Sequence, residues 1–163
     1  ELAAIETVAQ SEVAAPAPEP QGGPYRPPAA PIYSNAVLDP ARLEGDWRQV
    51  AGFGAADCAP GQVSIRAQGA GLHIRYRLCQ QGRERAGAGP MLPAGPGRFE
   101  VPGQPGPWWV LWADADDRTL VIGTPGGEIG FILDRGEIPA DRLVAARGVL
   151  DWDGYDLRRL HVY

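Results

Sequence analysis

From Leu43 onward, Gly- and Pro-rich breaks interrupt the chain about every 8–12 residues, and the runs between them are short and either apolar or alternating. This spacing restricts the fold more than any other feature. Helices of ordinary length do not fit between such breaks, whereas short strands do, and strands joined by tight turns build a sandwich or a barrel. Strands are expected near Gly45–Phe53, Val63–Gln68, Leu72–Gln80, Arg98–Val101, Pro107–Ala113, Thr119–Gly123 and Glu128–Asp134. A weaker one is expected around Arg83–Leu92. The alternation is cleanest at 72–78, where Leu72, Ile74, Tyr76 and Leu78 share one face and His73, Arg75 and Arg77 the other. Gly69-Ala70-Gly71 is the turn before it, and Val63 and Ile65 supply the matching face.

One helix is expected, over 139–150. Pro139 suits its first turn, Asp141 complements the N-terminal dipole, and Leu143, Ala146 and Leu150 form an apolar stripe. Asp153-Gly154 ends it, and Leu157–Val162 reads as a last strand. Ahead of the β region, residues 1–36 have a different texture. The first 40 residues hold 8 of the 17 prolines, and Pro16–Pro31 reads as an extended linker without its own core. Leu2, Ile5 and Val8 recur at helical spacing. With Tyr25 and Tyr33 they are candidate anchors for docking this segment on a partner.

Composition narrows the function. The net charge is −5, which disfavours nucleic acid as a partner. All 15 basic residues are Arg, so Schiff-base chemistry and a phosphate-binding P-loop lysine are excluded. Asp114, Asp116 and Asp117 read as a polar turn rather than a metal cluster, and neither His73 nor His161 lies in a ligand motif. None of the three serines sits in G-x-S-x-G. No enzyme, metal or cofactor is expected. The two cysteines, Cys58 and Cys79, lie symmetrically about the Gly69 turn, so antiparallel pairing brings them within reach of a disulfide. The alternative is two buried free thiols. A disulfide fits an oxidising compartment, and the bacterial periplasm, with or without membrane association, is the expected one.

Three stretches resemble a known family. Gly45-Asp46-Trp47, following Leu38-Asp39-Pro40-Ala41-Arg42-Leu43, resembles the G-x-W opening of the lipocalins. Trp108–Arg118 resembles their second motif, a strand followed by an Asp-containing turn with Asp114 and Arg118, although Asp117 stands where the family usually has an aromatic. Ile132-Leu133-Asp134-Arg135 resembles the third. Helix 139–150 followed by Gly154-Tyr155-Asp156 resembles the bacterial, apolipoprotein-D-like branch. The similarity spans roughly residues 37–163.

The resemblance implies an all-β fold: an eight-stranded antiparallel up-and-down β-barrel, or calyx, with one C-terminal α-helix outside it and the Pro-rich tail of residues 1–36 ahead of the barrel domain, 37–163. It implies that Gly45, Trp47 and Arg135 are structural, with Trp47 covering the closed end under Arg135. It further implies that the last strand pairs with the first. The function implied is non-enzymatic binding of a small apolar or lipid-like ligand. Val63, Ile65, Leu72, Ile74, Tyr76, Trp109 and Phe131 are the candidate lumen residues. Alternation leaves open whether Trp109 and Leu111, or Trp108, Val110 and Trp112, face inward. The Gly- and Pro-rich stretch 82–107 is expected to leave that side shallow or partly open. It therefore favours an alternative, an accessory subunit of a larger membrane or envelope complex docked through residues 1–36.

Overall fold

Residues 24–163 are described by a computed structural model; Leu2, Ile5 and Val8 lie outside the described residues. Strands β1 (Gly45–Phe53), β2 (Gln62–Gln68), β3 (Gly71–Gln80), β4 (Arg83–Gly95), β5 (Arg98–Glu100), β6 (Trp108–Ala113), β7 (Thr119–Gly123) and β8 (Gly130–Asp134) pair antiparallel in chain order. β1 pairs with both β2 and β8, which closes an eight-stranded up-and-down barrel. Helix α1 (Ala140–Trp152) follows, then β9 (Leu160–Val162). β2 leaves β1 at Arg48, exposing the edge of Ala51–Phe53, and β9 pairs there. An unpaired edge is thereby covered.

The barrel has two apolar layers. Inside lie Leu43, Trp47, Val63, Ile65, Ile74, Tyr76, Trp108 and Phe131, among others. Outside, Ala146 and Leu150 of α1 pack with Phe53, Leu111, Val121, Ile132 and Tyr155. Every residue of β7 and β8 is buried, because one face meets the lumen and the other meets the helix layer. α1 is also tethered by charge: Arg142 reaches the buried Asp134 at 3.0 Å, and Thr119 Oγ1 donates to the same carboxylate at 2.6 Å.

Two expectations need correction. Stretch 82–107 does not open the barrel: β4 runs thirteen residues and pairs with β3 without interruption from Leu72↔Met91 to Gln80↔Arg83. Its Gly, Ala and Pro content hides the strand from any apolar pattern, and the register with β3 imposes it. The thin element is β5, with two register pairs to β6. The second correction concerns the strap before the barrel. Residues 24–36 are not free of the domain. Tyr25 is 2% exposed, stacked on Phe53, and its N–H donates to Gly127 O. Arg26 is equally buried and donates to the carbonyls of Asp153 (2.9 Å), Pro125 (2.5 Å), Pro31 (3.2 Å) and Ala30. Tyr33 N–H bonds the Asp153 carboxylate, whose pKa burial raises against the pull of that bond and of Arg26. Tyr25 is thus committed to its own barrel, whereas the Tyr33 ring stays exposed.

Candidate functional site

The closed end is built around Trp47. Its Nε1 donates to Leu43 O at 2.9 Å, and the Arg135 guanidinium carbon stands 3.9 Å above the ring centre. Arg135 donates to the carbonyls of Asp117, Glu44 and Arg42, knitting the floor to the β6–β7 turn, and burial lowers its pKa. A Cβ at Gly45 would collide with Arg135 Nη1, and Gly45 has φ +132°, so this position requires glycine. In the adjoining turn, Asp114 accepts from the N–H groups of Arg118 (2.5 Å) and Thr119 (2.8 Å). Burial disfavours its charge, but those N–H bonds and the charges of Arg142 and Arg118 outweigh burial and hold its pKa below the usual carboxylate value. Asp116 and Asp117 pair with Arg118 and Arg42 as parts of the same turn.

Of the lumen candidates, Val63, Ile65, Ile74, Tyr76 and Phe131 face inward and are at most 3% exposed, and Leu72 packs against them. Trp109 does not. It lies in the outer layer under the Arg98 guanidinium, 3.8 Å from the ring centre, while Trp108 and Val110 face the lumen. A bulge between Val110 and Trp112 then shifts the register, sending Trp112 outward and Ala113 inward. Plain alternation could not foresee that switch.

The mouth is stoppered by the chain itself. The segment joining β5 to β6, 101–107, dips into the barrel. Tyr76 Oη donates to Pro102 O at 2.5 Å. The Gln80 and Gln104 side chains exchange two 3.0 Å bonds, and Trp108 Nε1 donates to Gln104 Oε1 at 3.0 Å. The room comes from β4: a Cβ at Gly87 would come within 2.8 Å of the Tyr76 ring, and one at Gly89 within 2.8 Å of Pro102 Cγ. At the rim, Cys58 and Cys79 form a disulfide with Cα atoms 5.7 Å apart. The buried Gln49 side chain locks the adjoining loop, accepting from Gly61 N and Cys79 N and donating to Cys79 O.

Outside the barrel, the register aligns Arg48, Gln62, Arg77 and Ala86 in one row and Asp46, Ser64, Arg75 and Ala88 in the next. They line a groove of about 900 Å³. Arg66 pairs with Asp46 and Arg77 with Glu84.

Sequence reasoning missed Gln49, Arg26, Arg85 and the 101–107 stopper. Arg85 alone had a readable signal. It is the register partner of Leu78, so it shares the lumen side of the sheet.

No protein-family model matches the chain, and no curated protein matches it. Among solved structures, the chain is similar to insecticyanin from the tobacco hornworm Manduca sexta, at 13% identity and TM-score 0.61, over 85% of each chain. It is similar to lobster apocrustacyanin A1, at 12% identity and TM-score 0.59, over 82% of this chain and 88% of that one. It is also similar to the major allergen Per a 4 from cockroaches, at 9% identity and TM-score 0.63, over 83% and 94%. These lipocalin structures establish the fold as a lipocalin-like barrel; at such identities they establish the fold alone.

Proposed function

We propose that this lipocalin-like barrel is a non-enzymatic binding protein for a small apolar or lipid-like molecule held in its lumen. One observation carries the reading: an apolar cup sealed at its floor by Trp47 and Arg135, with a mouth closed only by a short Gly/Pro segment hung on side-chain bonds. Withdrawal of 101–107 exposes Tyr76, Trp108, Val63, Ile65, Leu72, Ile74 and Phe131 to a ligand, and apolar burial, about 25 cal/mol per Å², drives uptake. The disulfide fits an oxidising, extracytoplasmic compartment, and no helix among the described residues is long and apolar enough to cross a membrane. Helix α1 followed by Gly154-Tyr155-Asp156 supports the bacterial branch and hence the periplasm. Native mass spectrometry of the purified protein with a fluorescent lipid probe tests the reading. We expect stoichiometric uptake, faster in Tyr76→Phe. Failure of both proteins to take up the probe rejects it.

A second reading, an accessory subunit of a membrane or envelope complex, draws on a different face. Tyr33, Val144 and Trp152 are 62%, 70% and 80% exposed, and Tyr33 and Trp152 flank a groove of about 400 Å³ floored by Leu111 and Val149. Large apolar side chains clustered in the open suit an interface. Its test is Trp152→Asp and, separately, removal of residues 1–22, which spares Tyr25 and Arg26. Each change should abolish co-purification with the complex; retention by both rejects the reading.

A further inference from the structure

Among the described residues, one buried side-chain nitrogen has no hydrogen-bond partner: Nε of Arg85. The residue as a whole is part-exposed, so this one donor is sealed from water while the rest of the side chain reaches the opening, and an unpaired buried donor is costly. Its position is informative. Arg85 pairs in register with Leu78, and directly opposed residues point to the same side of a sheet. Leu78 belongs to the lumen core, so the guanidinium is directed into the mouth of the barrel. The acid next to it in sequence, Glu84, is on the opposite face and engaged with Arg77. No ion pair or hydrogen bond from Arg85 to any described residue is formed. Deeper along the same face of β4 come Gly87 and Gly89, which offer no side chains. Gly89 lies about 13 Å below Arg85 at the usual strand rise. At present Tyr76 and Pro102 fill the space over these glycines, and Pro102 belongs to the stopper.

We propose that Arg85 is an anchor for an anionic headgroup. The ligand class is then an amphiphile with one carboxylate on an unbranched apolar chain: the carboxylate bonds the Arg85 fork, and the chain lies in the glycine-lined slot that Pro102 vacates. A guanidinium matches a carboxylate in plane and donor spacing, which favours a paired, two-bond contact. A branched or bulky tail would meet Tyr76 and the walls of the slot. The inference rests on the lumen-binding reading above and specifies its ligand.

The test compares cis-parinaric acid with its neutral alcohol, by fluorescence titration of the full chain and of Arg85→Met and Arg85→Lys. Wild type is expected to prefer the acid about 10- to 100-fold, the range that charge-assisted bonds give. Arg85→Met should abolish that preference while leaving alcohol binding unchanged, and Arg85→Lys should retain part of it. Arg85→Met should also melt no lower than wild type, since it removes a buried unpaired donor. Equal binding of acid and alcohol by wild type overturns the inference and spares the lumen reading. Equal weakening of both probes in Arg85→Met, or a large loss of thermal stability, makes Arg85 structural and likewise overturns it. If neither probe binds, both proposals fall.

Discussion

Replacing Arg135 tests the closed end directly. The guanidinium donates to Asp117 O and Glu44 O at 2.8 Å each and to Arg42 O at 2.7 Å, and it covers Trp47 at 3.9 Å. Hydrogen bonds to a charged group contribute roughly 1.5–3 kcal/mol each, and a partly desolvated cation–π contact about 1–2 kcal/mol. The bonds to Glu44 and Arg42 are exposed, so those carbonyls regain water once the guanidinium is gone and count at the bottom of the range or below. The bond to Asp117 is partly buried and counts in full. Arg135→Met is therefore expected to cost about 4 kcal/mol. Arg135→Lys keeps the charge but cannot reach three carbonyls at once, and about half that loss is expected. Urea unfolding followed by tryptophan fluorescence measures this. With m near 2 kcal/mol per M, the Met variant's midpoint should fall by roughly 2 M. A midpoint shift under about 0.25 M would show that the floor is held by the packing of Trp47 and Leu43 alone, and the reasoning would fail.

Four further outcomes are expected. Reducing the Cys58–Cys79 bond, or replacing both cysteines with Ser, should cost about 3 kcal/mol for a loop of this length, read as a urea-midpoint shift between oxidised and reduced protein. Gln49→Met strands two N–H groups and a carbonyl in a buried site, and should cost about 3 kcal/mol or more by the same assay. Asp114 has a folded pKa below its unfolded one, so its stabilisation is complete above the unfolded value and fades as pH falls through the folded one; Asp114→Asn should therefore destabilise more at pH 7 than at pH 2.5. Arg26→Met leaves the carbonyls of Asp153, Pro125 and Pro31 without their donor, and limited proteolysis should then cut within 27–37 faster than in wild type.

The parts of this fold that were legible are those where local pattern and tertiary role coincide. Leu72, Ile74, Tyr76 and Leu78 alternate because one face of β3 meets the lumen and the other meets solvent. The cysteines lie about the Gly69 turn because β2 and β3 form one hairpin. Legibility fails where a residue's environment is set from elsewhere in the chain. β4 carries little apolar signal, since only Met91 of its inward positions is apolar: Arg85 stands at the mouth, and Gly87 and Gly89 are bare so that Tyr76 and Pro102 can enter. Trp109 was placed on the wrong side because alternation fixes only two sets, and which set faces inward is decided by β5 and β7. Tyr25 reads as a free anchor in the sequence because its partners, the Phe53 ring and the Gly127 carbonyl, are far along the chain.

The distribution of bonds bears on whether the mouth can open without the barrel coming apart. At the floor, Arg135 ties three backbone carbonyls together and Asp114 caps two N–H groups, so charge-assisted bonds hold that end. At the rim, the disulfide and Gln49 fix the loop between β1 and β2. The stopper is different: two amides, one indole and one phenol secure it, all neutral donors contributing about 1 kcal/mol each. Segments differ in opening free energy according to such bonds and the apolar area they hide. Release of 101–107 gives up those neutral bonds together with the burial of Val101 and Pro102, while every element that closes the barrel keeps its own. Tyr76, Gln80 and Trp108, the groups that hold the stopper, belong to the wall and keep their place when the stopper leaves. For the ligand proposed above, exchange with the stopper would trade a few neutral hydrogen bonds for buried apolar area, while the barrel itself stays closed.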